Sequence, residues 1–243
     1  MKLIKADHER RLEIPGVPGL ARRPVDIDQS KTGFANLRSL RIYRFDAESV
    51  IRGHAEEDEV FVVVMAGSVE LKVSRGDAGN TASVFTLSAA DDSQNEACAA
   101  YLPPHAAYEL VPRTDADIAY ARATPMSSRP PTVFGTHVRM DGAGVSVLLE
   151  ETTYADRLRL RLVQIDAQQD DVVFPPIDKS EGMCEALIHV GSASPVRVDE
   201  ISGPGGGTVS LDSWDTVTVA PGECPTLRIA KGTSAMVLVV LAA

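Results

Sequence analysis

Short apolar runs broken by Gly, Pro and Asp recur along the whole chain, and almost none carries a helical period. Leu37–Phe45, Val60–Val64, Val69–Val73 and Asp117–Arg122 are rich in β-branched and aromatic residues, which suit a pleated, half-buried surface. Arg157–Leu162 is the clearest run: charged and apolar residues alternate, so the pattern predicts a strand with one face buried and the other wet. The same reading predicts strands over Cys184–Val190, Thr208–Leu211, Thr216–Val219, Thr226–Ile229 and Met236–Leu241. Asp91–Ala100 has room for a turn or two of helix, although it opens on acids and small polar residues. Many short strands, with turn signals roughly every ten residues, indicate an antiparallel sandwich or barrel.

The stretch Thr124-Pro-Met-Ser-Ser-Arg-Pro-Pro131 interrupts this pattern. Proline cannot donate to a strand ladder, so the stretch reads as an extended connector. The expected division is an N-terminal barrel over 1–123, a linker over 124–135 and a C-terminal barrel over 136–243. The two pieces echo each other. In the first, the acidic turn Glu56-Glu-Asp-Glu59 enters an apolar strand ending at Gly67, and Tyr101-Leu-Pro-Pro-His-Ala-Ala-Tyr108 follows later. In the second, Phe174-Pro-Pro-Ile-Asp-Lys-Ser-Glu181 leads to the strand 184–190 and Gly191, and Val219-Ala-Pro-Gly-Glu-Cys-Pro225 comes later. An acid-bearing strand paired with a Pro/Gly turn that aims one side chain inward is the two-part signature of a cupin barrel. Its double occurrence predicts an all-β bicupin, two tandem double-stranded β-helix barrels of jelly-roll type.

Composition narrows the function. Among 243 residues, 44% are hydrophobic and 24% charged, which excludes general disorder. Lys+Arg 24 against Asp+Glu 34 gives a net charge of -10, and the basic residues are scattered. Such a surface repels phosphate backbones and anionic lipid, so neither nucleic acid nor membrane is an expected partner. Met1–Arg11 lacks the apolar core of a signal peptide, and the run Ala235–Ala243 is far short of a bilayer span. Three dispersed cysteines, Cys98, Cys184 and Cys224, do not form a disulfide framework. The expectation is a protein of the bacterial cytoplasm.

From about Phe34 onward the sequence resembles the KduI/IolB-type bicupin isomerases, most closely the inositol-catabolism branch. The resemblance is carried by Ile42-Tyr-Arg-Phe45, Glu59–Gly67, Tyr101-Leu-Pro-Pro104, Ala155-Asp-Arg-Leu158, Phe174-Pro-Pro176, Glu185 and Val219–Pro225. It implies carbohydrate metabolism: aldose–ketose isomerisation of sugar acids, assisted by a divalent metal in the second barrel that stabilises an enediolate. It also implies a metal site of three His and one Glu. Carried onto this chain, those positions are Ile177, Lys179, Glu185 and Cys224. Ile177 has no lone pair, Lys179 is a cation, and one thiolate with one carboxylate makes a poor, mixed site. No shift of alignment supplies an imidazole, because no His lies between His137 and His189. The expectation is therefore a degenerate metal site, no cofactor unless a divalent metal finds unusual ligands, and a retained carbohydrate-sized pocket in the second barrel.

Several side chains are candidates for residual chemistry. Glu185 would be the proton shuttle and Lys179 a positive charge or Schiff-base amine. His189, four residues after Glu185 on the same strand face, could point into the pocket and with Cys224 and Glu185 form a zinc-holding cluster. The plainer readings are a hydrogen-bonded histidine near a rim, a solvated loop lysine and a buried thiol. In the first barrel, His54, Glu56 and His105 lie near the ligand-bearing strand and turn; His105 sits where a glycine is common, and Tyr108 occupies the turn's usual metal-ligand position. A structural role is the simpler reading there. The alternatives to a metal-free isomerase homologue are a carbohydrate-sensing or structural cupin and an isomerase with different ligands. The expected partners are a small sugar acid and further copies of the chain, as a homodimer or larger assembly.

Overall fold

The computed structural model describes the whole chain except residues 15–16, 18, 76–81, 91–95, 128, 137, 141–143, 169, 178–180, 182, 194–195 and 201–207. Two runs of strands flank the connector. The first comprises β1 (Lys2–Ile4), β2 (Arg11–Glu13), β3 (Leu20–Asp28), β4 (Leu37–Phe45), β5 (Ile51–His54), β6 (Glu59–Ala66), β7 (Ser68–Arg75), β8 (Ser83–Ser88), β9 (Ala97–Leu102), β10 (Ala106–Pro112) and β11 (Ala116–Ala123). The connector carries β12 (Thr132–Gly135). The second comprises β13 (Arg139–Met140), β14 (Val145–Glu151), β15 (Leu158–Ala167), β16 (Val172–Phe174), β17 (Glu185–Ala193), β18 (Val196–Glu200), β19 (Thr208–Leu211), β20 (Thr216–Val219), β21 (Pro225–Ile229) and β22 (Thr233–Ala242). Among the described residues a single short α-helix, α1 (Gln29–Thr32), is capped by the Asp28 carboxylate and stopped at Gly33 in the left-handed conformation. No described helix is long and apolar enough to cross a membrane. The helical option over Asp91–Ala100 does not hold at its described end: residues 97–102 form β9, and 91–95 lie outside the described residues. Its small side chains are explained by crowding, with Ala100 and Leu102 on one covered face and Ala99 and Tyr101 on the other.

The duplication in the sequence is a duplication of topology. A seven-stranded sheet ordered β12-β9-β6-β11-β4-β3-β2 closes against a four-stranded sheet, β5-β10-β7-β8. The second half repeats both orders, β1-β20-β17-β22-β15-β14-β13 against β16-β21-β18-β19. The outermost strands are exchanged: β1, which precedes the first barrel, pairs antiparallel with β20, and β12, which precedes the second, pairs with β9 of the first. Each barrel thereby covers one exposed edge with a strand lent from outside its own run.

Strand alternation sorts side chains into three cores. Val60, Val62 and Val64 of β6 point into the first barrel with Leu71, Leu110 and Ile118. Ala186, Ile188 and Val190 of β17 point into the second with Val163, Ile165, Leu227 and Val237. The opposite faces of the two seven-stranded sheets meet each other: Leu40, Ile42, Phe61 and Val63 pack with Leu158, Leu160, Leu162, Leu187 and Leu238. Phe61, Tyr101, Phe134 and Tyr154 close one end of this layer through edge-on ring contacts of 5.3–5.8 Å, each pair adding about 0.5–1.5 kcal/mol beyond the area it buries.

Two carboxylates tie the halves together across this layer. Glu59, at the start of β6, accepts from the backbone N–H groups of Asp156, Arg157 and Leu158 at 3.2, 3.0 and 2.7 Å. Glu185, at the start of β17, accepts from Ala35, Asn36 and Leu37 at 2.5, 2.8 and 2.8 Å. Both carboxylates are buried, and each holds the entry of the other half's long strand, β15 or β4. Burial raises the Glu59 carboxyl pKa, and the three amide donors oppose that shift. Removing either acceptor set orphans three amides inside the protein. Glu59→Ala and Glu185→Ala are each expected to destabilise the fold by about 3 kcal/mol or more, and by similar amounts, read from urea midpoints.

Candidate functional site

The second barrel is filled at the depth where a ligand set would converge. Ile177 and Cys184 are buried among Val163, Phe174, Ala186 and Ile188. Toward the mouth, β15 presents Arg159 and Arg161 on the same face as Val163 and Ile165. The alternation read as a wet face is therefore wrong at Arg161, which is 6% exposed. Both strand faces are covered, one by the other sheet and one by the barrel's own contents. Arg161 grips Glu181 with both terminal nitrogens, at 2.8 and 3.1 Å. Its Nε donates to Glu150 at 2.7 Å and Nη1 to the Pro176 carbonyl at 3.2 Å. Buried Glu181 thus neutralises a guanidinium in the barrel mouth, with Arg159 3.7 Å away as a second cation. Lys179 lies outside the described residues. Cys224 is half-buried in the turn before β21.

Glu185 and His189 do share a strand face, as their spacing requires, but it is the face opposite to the one expected. The even-numbered residues of β17 enter the barrel, so Glu185, Leu187 and His189 project into the layer between the barrels. The Glu185 carboxylate is consumed by the three amides of 35–37. His189 Nδ1 lies 3.0 Å from Thr216 Oγ1, while Nε2 is buried without a partner. Its ring meets Trp214 edge-on at 5.9 Å, and Trp214 in turn lies under the Arg44 guanidinium at 4.5 Å. His189, Trp214, Arg44 and Asp117 together line a cavity of about 110 Å³. The zinc-holding set of Glu185, His189 and Cys224 is not assembled. Among the described residues no three His, Cys, Asp or Glu side chains gather as a metal site.

In the first barrel, His54, Glu56 and His105 are exposed at strand ends and do not converge inside. Glu56 and His105 adopt left-handed backbone conformations and are joined by the His105 N–H donating to the Glu56 carbonyl at 2.6 Å. Three phenols stand on the inward face instead: Tyr43 of β4, Tyr108 of β10 and Tyr120 of β11 line a cavity of about 150 Å³ with Arg41, Arg52 and Arg122. Tyr108 lies flat against its cross-strand partner Gly53, where a Cβ would sit 2.4 Å from the phenol oxygen. Only glycine permits that approach. The signal in the sequence is the alternation of Arg41, Tyr43 and Phe45 on one strand face, a stretch that above carries strand propensity and family resemblance and no site.

A comparison with family models matches residues 20–146 to the KduI/IolB family, just over half of the chain. The chain belongs to the KduI/IolB family. No curated protein matches it. Among solved structures, an IolB-like protein from Salmonella typhimurium LT2 superposes with a TM-score of 0.69 at 16% identity, covering 99% of this chain and 92% of that one. The oxalate decarboxylase of Lactobacillus farciminis gives 0.74 at 8% identity, over 99% and 85%. A mutant of the Bacillus subtilis oxalate decarboxylase gives 0.71 at 9%, over 99% and 76%. At these identities the likeness is one of fold, and with the duplicated sheets it establishes the expected bicupin. The matched KduI/IolB span runs from β3 through the rest of the first barrel and the connector to the start of β14. The second-barrel stretches that carried the resemblance in sequence fall outside it. Among the described residues, the metal implied by the KduI/IolB resemblance finds no donor set in the second barrel: Ile177 has no lone pair and the Arg161 guanidinium only donates.

Two measurements probe these arrangements. Arg161→Ala removes the two-nitrogen grip on buried Glu181 and is expected to cost about 3–5 kcal/mol in urea unfolding, against less than about 1 kcal/mol for the more exposed Arg159→Ala. Burial pushes the His189 pKa down to about 3, well below its ordinary value. The unfolded chain therefore binds a proton that the folded one refuses as pH falls from about 6.5 toward that value, and stability drops by up to about 1.4 kcal/mol per pH unit. His189→Gln is expected to flatten this acid-side loss in melting temperatures recorded across that window.

Proposed function

We propose that this chain is a sugar-acid-binding member of the KduI/IolB family that has given up metal-assisted aldose–ketose isomerisation in its second barrel. The observation that carries the reading is the guanidinium of Arg161 locked between Glu181 and Glu150 at that barrel's mouth. With Glu181 and Glu150 both engaged by this guanidinium, neither carboxylate is left to ligate a divalent ion, and the surrounding Ile177, Ala186 and Ile188 offer no donor. The family's chemistry needs an electrophile to stabilise an enediolate and a base to move the proton between adjacent carbons. Glu185, the carboxylate that sequence reasoning put forward for the second task, points away from the barrel and is fully occupied by backbone amides. Sugar-acid recognition is kept in the proposal because family membership and an anion-compatible, phenol-lined cavity both point toward it.

Metal analysis of protein purified from cells supplied with manganese, iron and zinc is expected to find far less than one ion per chain. Incubation with glucuronate or galacturonate in heavy water, with and without added manganese or zinc, is expected to leave the sugar carbons unexchanged, while a uronate raises the melting temperature. Stoichiometric metal together with deuterium uptake into the sugar would show a working isomerase with different ligands and would overturn the proposal.

A further inference from the structure

We propose that the first barrel contains a binding site for one small hydroxylated carboxylate, its body against Tyr43, Tyr108 and Tyr120 and its acid group toward Arg41, Arg52 and Arg122. The choice of a hydroxylated acid rests on the sugar-acid reading above. The arginine-and-phenol geometry stands without it.

The site is built from four strands. Tyr43 of β4 meets Tyr120 of β11 edge-on at 5.6 Å, and Tyr108 of β10 stacks on Tyr120 at 5.9 Å. Tyr43 also stacks on Phe45 at 5.4 Å with nearly parallel rings, which fixes the wall between β4 and the interior. Tyr120 lines this cavity, and its fully buried hydroxyl lies beside that of Tyr108 without a hydrogen bond of normal geometry. A buried phenol without a well-formed hydrogen bond is unfavourable, and a ligand oxygen in the cavity would supply one. Burial raises the pKa of both Tyr108 and Tyr120, so they are neutral donors at physiological pH.

The charge around the cavity contrasts with that of the chain. Asp26, nearly buried, is surrounded by Arg10, Arg23 and Arg41. Arg52 pairs with Glu109, and Arg122 donates to the carbonyls of His54 and Ala55 with Asp58 3.7 Å away. Five arginines against three carboxylates leave a local positive excess on a protein whose net charge is -10. Arg23 also donates to the Tyr43 hydroxyl at 3.3 Å, so the phenols and the arginine cluster form one network. Arginine forks recognise a carboxylate, aromatic faces accept the C–H side of a sugar ring, and phenols exchange hydrogen bonds with its hydroxyls. A cavity of about 150 Å³ suits one compact acid and is too small for a nucleotide or a peptide.

Titration calorimetry of the full chain with glucuronate, glucose and benzoate tests the site. Glucuronate is expected to bind saturably at one site, with glucose and benzoate each weaker by about tenfold or more. Tyr120→Phe, which removes one oxygen and no volume from the ring, is expected to weaken glucuronate by roughly fivefold to tenfold. Arg52→Gln, an exposed change that spares the fold, is expected to weaken glucuronate and leave glucose unaltered. Arg159→Ala in the second barrel is expected to change none of these affinities. Failure of both acids to bind overturns the site. Undiminished glucuronate binding in both first-barrel variants overturns it while sparing the sugar-acid reading, because the acid is then held elsewhere. Benzoate bound more tightly than glucuronate overturns the ligand class.

Discussion

The fold depends on a reciprocal grip of carboxylate on backbone. Glu59 and Glu185 occupy equivalent places at the first residue of equivalent strands, and each reaches across the inter-barrel layer to the amides that open the partner half's β15 or β4. Those amides lie at a chain entry where no ladder partner is available, and apolar packing cannot satisfy them. The leucine-rich faces of the two large sheets supply most of the contact between halves, yet such faces slide easily over one another. The carboxylates fix the register. They are why the second acidic position of this sequence, which resembles a catalytic or metal-binding residue, is a structural one.

Much of the architecture was legible in the sequence because strand periodicity and turn chemistry are local. Thr208–Leu211 and Thr216–Val219 are strands over the residues read from their β-branched runs, and the paired Pro/Gly turns mark the same junction in both barrels. His105 shows how far local reasoning goes: its place in a position typical of glycine matches a φ of 63°. What the sequence did not carry was which strand face is inside. In an isolated sandwich one face is wet, and Arg157–Leu162 has that alternation. Here every long central strand is covered twice, so the arginine face of β15 is buried as an ion-paired plug and the face of Glu185 and His189 becomes an interface. Parity survives this change. Direction does not, since it depends on a second layer that single-strand patterns cannot encode.

The two barrels share one plan and differ in their contents. In the second, aliphatic side chains run up to an arginine satisfied by two glutamates. In the first, the corresponding face of β4 offers Arg41, Tyr43 and Phe45, and the turn side chain is a tyrosine laid on a glycine. The arginine in the second barrel is answered by its two glutamates, whereas in the first the buried Tyr120 hydroxyl has no well-formed hydrogen bond. That difference in satisfaction separates a barrel used as a support from one with capacity for a guest.

The exchanged edge strands have a consequence for how the molecule is made. Lys2–Ile4 find their partners in Thr216–Thr218, almost the full span of the polypeptide later. While synthesis proceeds, the opening segment must wait, unpaired, until the penultimate strands emerge, although the first barrel can close as soon as Thr132–Gly135 have appeared. Such distant closure slows the search for the native arrangement and makes its final stage all-or-none. The halves thus mature in sequence but lock together in a single late event, and cutting the chain just ahead of Thr132 would deprive each part of an edge strand that only the other can lend.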